Sequence, residues 1–244
     1  MHTPLIIAHR GGKVWAPENT MSAFRQSLEA GVDAIELDIQ RVQSGELVVF
    51  HDQDLSRTTN GFGSVANCSL DEIKRLSAGA WFDSAFKNEK VPTLQEVLDL
   101  VSGQIMLNIE IKNLPHSYED IEEELMAQLE GYDTNKVVVS SFDHRVLKKL
   151  KGKIQTALLM VGAPSSVPDY CADLGATYFH AQKDHINDDV LEDARSGSVK
   201  VFAWVANTDR DWSRLIKLEV DGIVSDDPEN LMAFIQSIKE LEKS

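Results

Sequence analysis

The chain is poor in cysteine and in basic residues. Its two cysteines, Cys68 and Cys171, form no motif with each other or with any histidine, so we expect free thiols in a reducing compartment and not a disulfide. Its 24 lysines and arginines are outnumbered by 39 aspartates and glutamates, which gives a formal net charge of -15. This charge argues against non-specific binding to nucleic acid, which needs a basic surface, and we expect no nucleic-acid partner. A small phosphorylated ligand remains open, since local cations can outweigh the overall field.

The sequence also lacks long apolar runs and a secretory leader. No segment approaches the roughly 18 consecutive apolar residues of a transmembrane helix. Residues 1–4 precede the first predicted strand without a charged or apolar leader region. We therefore expect a cytoplasmic protein, a monomer or a homodimer, with no stable membrane association. Hydrophobic residues make up 43% of the chain, which is enough for a sizeable core.

Apolar, β-branched runs alternate with segments of helical periodicity along most of the chain. We predict barrel strands at 5–9, 34–40, 105–111, 137–142, 155–160, 177–181, 200–205 and 222–225. Helical patterns between and after them include 20–30, 118–130, 146–150, 167–174, 209–218 and 230–241. This alternation indicates an α/β fold, a (β/α)₈ TIM barrel that forms one domain over 1–244. The alternative is a doubly wound open sheet, but the usual glycine-rich loop after its first strand is replaced here by His-Arg-Gly-Gly.

Residues 46–51 form a further predicted strand that breaks this alternation. Only the Ser44-Gly45 turn separates it from the strand at 34–40. Parallel neighbours need a crossover of about a dozen residues or more, so this pair must be an antiparallel hairpin. A turn centred on 44–45 sets His51 opposite Asp38, and we expect both at the mouth of the barrel.

The segment from 53 to about 92 contains no good strand and interrupts the barrel pattern. Ser69 begins a short capped helix within it, and Thr93, with Glu96 three residues later, begins the next helix as a capping box. Long insertions between barrel elements are usually functional. We therefore expect residues 53–92 to form a small cap-like segment after the hairpin.

Carboxylates lie on two of the predicted strands. Glu36 and Asp38 point to one side of their strand because side chains alternate, and Glu110 lies on the next barrel strand. Buried charges are costly unless they pair or bind a metal. An all-oxygen set suits Mg²⁺ or Ca²⁺, whereas no set of Cys and His has the spacing for zinc. We predict a divalent cation site at these three residues; solvated surface charge is the alternative.

Two histidines and two cations accompany the carboxylates. His9 ends the first strand and His51 ends the hairpin. Histidine suits proton transfer at neutral pH, although a lone histidine at a strand end is more often structural. Arg10 and Lys112 are the adjacent cations, and both suit an anionic, oxygen-rich group such as phosphate.

Two further side chains are candidates on later strands. Trp204 ends the strand at 200–205, where an aromatic ring is usually part of the core but can also pack against the organic part of a substrate. His180, on the strand at 177–181, is the other histidine that we keep as a candidate site residue.

The chain carries a series of short motifs in a recognisable order: His9-Arg10-Gly11, Pro17-Glu18-Asn19-Thr20, Glu36-x-Asp38, Val49-Phe50-His51-Asp52, Glu110-x-Lys112, Trp204 and Asp221-Gly222-Ile223-Val224-Ser225-Asp226-Asp227-Pro228. In content, order and spacing they resemble the glycerophosphodiester phosphodiesterase family. The resemblance spans nearly the whole chain.

This resemblance implies a TIM-barrel phosphoric diester hydrolase that converts glycerophosphodiesters into sn-glycerol 3-phosphate and an alcohol. It implies that Mg²⁺ or Ca²⁺ is bound by Glu36, Asp38 and Glu110. It further implies that the acid/base pair is His9 and His51, and that the phosphate is contacted by Arg10 and Lys112. It also implies that the glycerol 2-hydroxyl attacks the phosphorus, that water opens the resulting cyclic phosphate, and that residues 53–92 help to shape the glycerol pocket.

Two rival functions remain at this point. A lysophospholipase D-type phosphodiesterase would use the same residues on lipid diesters, but we would expect an amphipathic docking stretch near the mouth. The insertion offers only Phe62, Trp81-Phe82 and Phe86. A non-catalytic phosphate-binding protein would bind the same group without turnover, but it would have no need for two convergent histidines.

Overall fold

The computed structural model describes residues 2–113 and 118–241. Over these residues the strands are β1 Leu5–Ala8, β2 Ala34–Arg41, β3 Leu47–Val49, β4 Met106–Ile111, β5 Val137–Ser141, β6 Gln155–Met160, β7 Tyr178–Gln182, β8 Lys200–Trp204 and β9 Gly222–Ser225. The α-helices are α1 Met21–Ala30, α2 Leu70–Arg75, α3 Leu94–Val101, α4 Ile121–Gln128, α5 His144–Leu150, α6 Val167–Leu174, α7 Asp188–Ser196, α8 Asp209–Lys217 and α9 Pro228–Leu241. None of these helices is long and apolar enough to cross a bilayer.

Parallel strands close into a barrel. The hydrogen-bonded order is β1-β9-β8-β7-β6-β5-β4-β2. Because β1 also pairs with β2, these eight strands of the described chain form a closed ring. β3 lies outside this ring as an antiparallel partner of β2. The predicted (β/α)₈ barrel is thus confirmed, and closure excludes the doubly wound open sheet.

Apolar side chains fill the barrel and cover its outside. Ile7, Val138, Tyr178, Phe202 and Val224 belong to a buried cluster inside the ring of strands. Helices cover the outer faces in two further clusters, one against β1–β5 and one against β6–β9. A filled interior leaves the carboxyl ends of the strands as the place where a barrel can build a site.

Side-chain caps fix where several helices begin. Thr20 accepts a hydrogen bond from the N–H of Ala23 at the start of α1. Ser69 and Thr93 form the predicted capping boxes at the starts of α2 and α3. These caps satisfy backbone donors that the first helical turn leaves free. The helix starts predicted from the capping residues therefore agree with the structure to within one residue.

One helix has no counterpart among the predicted patterns. Helix α7 spans Asp188–Ser196, and only Leu191 and Ala194 are buried along it. Two apolar positions in nine residues give little amphipathic periodicity. The helix could have been predicted from its N-cap, since the Asn187 side chain accepts a hydrogen bond from the N–H of Val190.

The predicted hairpin is confirmed, but its register differs by one residue from the expected one. Phe50, and not His51, lies opposite Asp38 in the continuation of the ladder. The N–H of Phe50 donates to the carbonyl of Asp38 at 2.9 Å. His51 still reaches the barrel mouth because it lies beyond the end of β3, where strand alternation no longer sets its direction.

The difference in register comes from the length of the turn. Residues 43–45 form the loop, since the N–H of Val42 donates to the carbonyl of Glu46 at 3.0 Å. Gly45 completes this three-residue loop with a φ of 105°, a conformation that favours glycine. Counting a two-residue turn at Ser44-Gly45 therefore shifted every pair by one.

Residues 53–92 pack as an excursion beside the hairpin. They contain α2 and two short 3₁₀ helices, Val65–Asn67 and Ser84–Phe86. Their apolar side chains join those of β3 in a cluster of their own: Val42, Val48, Phe50, Leu55, Val65, Ile73, Ala78 and Val91. This packing holds the segment against the strand that leads to His51.

Candidate active site

Three carboxylates meet inside the mouth of the barrel. Glu36 and Asp38 lie on β2, and Glu110 lies on β4 as the register partner of Asp38. One oxygen from each side chain lies within 4.8 Å of the other two, and all three residues are buried. The structure thus brings together the three residues that the sequence proposed as cation ligands.

Two cations lie against these carboxylates. Lys112 Nζ donates to Glu110 Oε1 at 2.7 Å and lies 3.7 Å from Asp38 Oδ1. Arg10 Nε lies 3.3 Å from Asp38 Oδ2, and the backbone N–H of Arg10 donates to Glu36 Oε2 at 2.9 Å. Two positive charges do not neutralise three ionised carboxylates, so the cluster has room for further positive charge.

The surroundings of the carboxyl groups move their pKa values apart. Burial and the charge of Asp38 raise the pKa of Glu36 well above its usual value, and burial raises the pKa of Glu110 to about 6. Burial acts the same way on Asp38, but Arg10 and Lys112 outweigh it and hold that pKa below its usual range. Asp38 is therefore the most firmly ionised of the three.

One carboxylate oxygen is suited to a metal ion. Asp38 Oδ1 is buried and accepts no hydrogen bond from the described residues. A buried oxygen without a donor is costly unless an ion or ligand contacts it. With Glu36 and Glu110 beside it, the donor set consists of oxygens alone, and it fits a hard divalent cation such as Mg²⁺ or Ca²⁺.

His9 is oriented by a carboxylate at the end of the barrel's last strand. Its Nδ1 lies 2.5 Å from Asp226 Oδ1, so the carboxylate accepts the Nδ1 proton and the Nε2 atom is left for the cavity. Nε2 lies 3.9 Å from Glu36 Oε2. Asp226 is itself fixed, because the Asn207 side chain donates to its Oδ2 at 2.8 Å. Burial lowers the pKa of His9, and the bond to Asp226 opposes that shift.

His51 is oriented in the same manner by its neighbour in sequence. Its Nδ1 lies 2.6 Å from Asp52 Oδ1. The backbone on both sides is held by the buried Gln40 side chain, which donates to the carbonyls of Phe50 and Asp52 at 3.0 and 2.7 Å. Burial lowers the pKa of His51, and the charge of Asp38 acts against it. Each histidine therefore presents Nε2 from a fixed ring.

A single guanidinium joins the surroundings of His51 to those of Arg10. Arg57, in the insertion, donates to both oxygens of Asp52 at 2.5 and 3.0 Å. It also donates to both oxygens of the buried Glu18 at 2.9 and 2.8 Å. Glu18 Oε1 in turn accepts from Arg10 Nη1 at 2.6 Å. Two cationic and two anionic groups thus form one chain of ion pairs beside the histidine.

One cavity connects these groups. It encloses about 550 Å³, part of which is open to solvent, and one side is lined by His9, Arg10, Glu36, His51, Glu110 and Lys112. The remaining lining is neutral: Asn108, Ser140, Phe142, Leu159, His180, Trp204, Val205 and Val224. Asp38 lies behind this lining, in contact with both cations.

Trp204 lies in the cavity wall, across from the carboxylates. Its indole N–H donates to the carbonyl of His180 at 2.8 Å. Its ring meets Phe142 edge to face at 5.7 Å between centroids. The two rings form an apolar surface next to the charged groups, as an organic moiety of a substrate would require. A substrate contact at Trp204 stays a prediction.

Several residues that fix the site were not among the sequence candidates. Asp52 and Asp226 orient the histidines, while Glu18 and Asn19 hold Arg10 and Asp38; Asn19 Nδ2 donates to Asp38 Oδ2 at 2.8 Å. The signals were present, since Asp52 follows His51 directly and the others stand in the Pro-Glu-Asn-Thr and Ser-Asp-Asp-Pro motifs.

Comparison with known proteins gives concordant results. The model of the glycerophosphoryl diester phosphodiesterase family matches residues 9–230. A glycerophosphodiester phosphodiesterase of Caldanaerobacter subterraneus subsp. tengcongensis is 38% identical over 237 residues, covering 95% of this chain and 98% of the relative. One of Bacillus altitudinis is 34% identical over 242 residues, covering 96% and 99%.

A solved structure resembles the fold closely. A phosphodiesterase of Oleispira antarctica in complex with the product sn-glycerol-3-phosphate superposes with a TM-score of 0.87 at 29% identity, covering 96% of this chain and 97% of that one. The similarity thus extends over the barrel and the inserted segment together.

Proposed function

The chain belongs to the glycerophosphoryl diester phosphodiesterase family, and we propose that it hydrolyses glycerophosphodiesters to sn-glycerol 3-phosphate and an alcohol in the cavity at the barrel mouth. Its class as a glycerophosphodiester phosphodiesterase follows from relatives that match nearly the full chain. One observation carries the proposed mechanism: two carboxylate-paired histidines share one cavity with Glu36 and Glu110, and the buried Asp38 lies within 4.8 Å of both carboxylates, directly behind the lining.

The carboxylates and the cations have separate tasks in this proposal. Mg²⁺ or Ca²⁺ held by Glu36, Asp38 and Glu110 would supply positive charge next to the substrate phosphate. Arg10 and Lys112 line the same cavity, and they would bind the non-bridging phosphate oxygens and offset the charge that develops on them during the reaction. Arg10 is fixed for this task by Glu18 and by its backbone bond to Glu36.

The two histidines would move the protons. One Nε2 accepts the proton of the attacking hydroxyl, and the other donates a proton to the alkoxide that leaves. Asp226 and Asp52 accept the Nδ1 protons of His9 and His51. They thereby set the tautomer and stabilise a ring that becomes positively charged, the task that a carboxylate performs in other acid/base pairs.

The attacking group in this proposal is the glycerol 2-hydroxyl. Its oxygen forms a bond to phosphorus while the bond to the head-group oxygen breaks, which gives a five-membered cyclic phosphate and the free alcohol. Water then opens the ring to sn-glycerol 3-phosphate. A hydroxyl tethered to the phosphate gains a large effective molarity over free water.

The cellular setting stays a prediction. Both Cys68 and Cys171 are free thiols, which supports the proposal that the protein works in the reducing cytoplasm. We further propose that it acts as a monomer or homodimer on small-molecule substrates, without stable membrane association. The insertion at 53–92 contributes Arg57 to the site's ion pairs, which supports its assignment as a cap-like part of one catalytic domain.

The proposed function is tested with glycerophosphocholine, with and without Mg²⁺ or Ca²⁺ after treatment with EDTA. We expect cation-dependent release of choline and of sn-glycerol 3-phosphate, which ³¹P NMR distinguishes from phosphocholine. Release of phosphocholine and glycerol instead would contradict the proposed bond cleavage, and full activity in EDTA would contradict the cation site.

A further inference from the structure

Three neutral polar atoms of residues that line the cavity have no hydrogen-bond partner among the described residues. They are Asn108 Oδ1, Ser140 Oγ and His180 Nε2, and we call these three residues the polar floor. The residues are only 3%, 1% and 1% exposed, yet all three line the cavity. Buried polar atoms in a native protein are almost always paired, so three unpaired ones on residues that line one cavity point to a ligand.

The residues of the polar floor lie level with the carboxylates or just below them. Asn108 precedes Glu110 by two residues on β4 and is the register partner of Glu36, while Ser140 on β5 is the register partner of Glu110. Two strand residues span about 6.6 Å, which is the reach of a three-carbon chain with a terminal hydroxyl. A glycerol unit whose phosphate lies at the level of Glu110 therefore reaches Asn108, and Ser140 stands beside Glu110 on the adjoining strand.

The polar floor is chemically suited to a neutral hydroxyl. Burial lowers the pKa of His180 to about 3, so its ring, stacked on Phe202 at 4.9 Å, is neutral at physiological pH. Asn108 Oδ1 accepts, Ser140 Oγ donates and accepts, and a hydroxyl does both. A charged ligand group would find no counter-charge on the floor.

The neighbouring serine shows that the unpaired atoms are particular to the cavity side. Ser141 follows Ser140 on β5 and is equally buried, but its Oγ donates to the carbonyl of Ile111 at 2.8 Å and accepts from the N–H of Asp143 at 3.0 Å. One hydroxyl of the pair is used within the protein, while the other faces the cavity. Hydrogen bonds within the protein thus satisfy the hydroxyl of Ser141, whereas the hydroxyl of Ser140 has no partner among the described residues.

We propose that the polar floor is a hydroxyl-binding subsite that recognises the primary C1 hydroxyl of the substrate's glycerol unit. The inference rests on the proposed function, which fixes the phosphate and the 2-hydroxyl at the level of the carboxylates. The subsite selects diesters of unmodified glycerol and rejects those that carry an acyl chain on C1, because the chain would press against three buried polar groups that it cannot satisfy. The floor thereby excludes C1-acylated lysophospholipids.

The subsite is tested by calorimetric binding in the presence of Ca²⁺. The ligands are sn-glycerol 3-phosphate and 2-hydroxypropyl phosphate, which lacks only the C1 hydroxyl. We expect the first to bind about 10- to 100-fold more tightly, because an unsatisfied buried group is costly. Turnover of glycerophosphocholine and of 1-acyl lysophosphatidylcholine is measured on the same preparations, and we expect turnover of the first alone.

Matched variants locate the preference. Ser140→Ala and, as a second variant, Asn108→Leu should bring the two affinities to within a few-fold of each other, with unchanged or raised thermal stability because an unpaired polar group is removed. Ser141→Ala should lower the thermal stability without changing the binding preference. It loses two hydrogen bonds that are made, so its melting temperature falls, while the preference for sn-glycerol 3-phosphate stays as in the wild type.

The outcomes separate the subsite from the proposed function. Equal wild-type affinity for both phosphates, equal loss of preference in Ser140→Ala and Ser141→Ala, or rapid hydrolysis of 1-acyl lysophosphatidylcholine would each overturn the subsite, even if glycerophosphocholine is hydrolysed. If glycerophosphocholine is not hydrolysed but Ser140→Ala still abolishes the binding preference, the proposed function fails and the subsite stands.

Discussion

The two halves of the barrel mouth differ in kind. The charged half, which we define as the cavity-lining residues from β1 to β4 and the loops that follow these strands, contains the neutral Asn108 together with His9, Arg10, Glu36, His51, Glu110 and Lys112. The neutral half, from β5 to β9, lines the same cavity with Ser140, Phe142, Leu159, His180, Trp204, Val205 and Val224. Charge in the cavity wall is thus confined to adjoining strands.

The halves also differ in how they are held. Side chains of the charged half form ion pairs with one another, as Lys112 does with Glu110, or with acidic residues behind the lining, as Arg10 does with Glu18. The neutral half is held by apolar packing and keeps unpaired polar atoms, such as Ser140 Oγ. We infer that the charged half performs the chemistry, for which fixed charges are needed, and that the neutral half recognises the organic part of the substrate.

The largest expected effect of a substitution is on the predicted cation ligands of the charged half. Glu110→Gln keeps the shape of the side chain but removes its charge, so it should abolish turnover of glycerophosphocholine as EDTA does. Glu122→Gln is the matched control. Glu122 is also a buried carboxylate with a lysine partner, Lys149 at 2.6 Å, but it lies outside the cavity, so stability should fall and kcat should not. Normal activity of Glu110→Gln would remove it from the site.

The next largest effect should be on the histidines. Loss of a positioned acid or base costs about 10²- to 10⁴-fold in rate, so His9→Ala and His51→Ala should each lower kcat by that factor. Their effects should not multiply in the double variant, because the two act as a unit. His185→Ala, at an exposed position outside the cavity lining, serves as control. A His51→Ala enzyme with normal kcat would contradict its role.

A smaller effect is expected at Arg57, which lies behind the reacting groups. Arg57→Ala leaves Asp52 and Glu18 without their shared partner, and loss of such a supporting contact costs about 10- to 100-fold in activity. We expect kcat to fall more than KM rises, with partial rescue by added guanidinium. Lys87→Ala, exposed on the same insertion, should behave as the wild type. Equal kcat in both variants would show that the ion pairs of Arg57 with Asp52 and Glu18 do not contribute to catalysis.

The smallest effect is expected on the neutral half. Trp204→Leu removes an aromatic contact worth about 0.5–1.5 kcal/mol, so KM for glycerophosphocholine should rise a few-fold at nearly constant kcat. Trp212→Leu controls for the loss of a buried indole, since Trp212 packs outside the cavity and donates to the carbonyl of Ala206 at 2.8 Å. It should lower the melting temperature and leave KM unchanged. If Trp204→Leu lowered kcat as much as a histidine substitution does, the assignment of chemistry to the charged half and recognition to the neutral half would be contradicted.

Periodicity was sufficient to predict the barrel. Alternating apolar runs located all nine strands to within about two residues, and capping residues such as Thr93 located helix starts. The register of the hairpin was missed by one, because turn length depends on the backbone conformation of Gly45, which no periodicity encodes. Helix α7 was missed because it buries only two apolar side chains.

That the candidate site residues come together at the barrel mouth was also predictable from the sequence, whereas the groups that hold them were less so. Residues such as His9 and Glu36 stand out because charged or titratable groups at the ends of apolar strands are unusual. Asp226 and Glu18 lie in loops, where acidic residues are common, and their partners are distant in sequence, 217 residues away for the bond between Asp226 and His9. Only the closed barrel brings its first and last strands together.

The central claim is that the charged half acts on a hydroxyl already tethered to the phosphate. Its most direct test is the rate of hydrolysis of the 2-deoxy analogue of glycerophosphocholine, measured beside the parent compound at saturating cation. We predict that the analogue binds but is hydrolysed orders of magnitude more slowly, so that kcat falls far more than KM changes. Hydrolysis at a rate close to that of glycerophosphocholine would contradict internal attack and would assign the nucleophile to a water molecule instead.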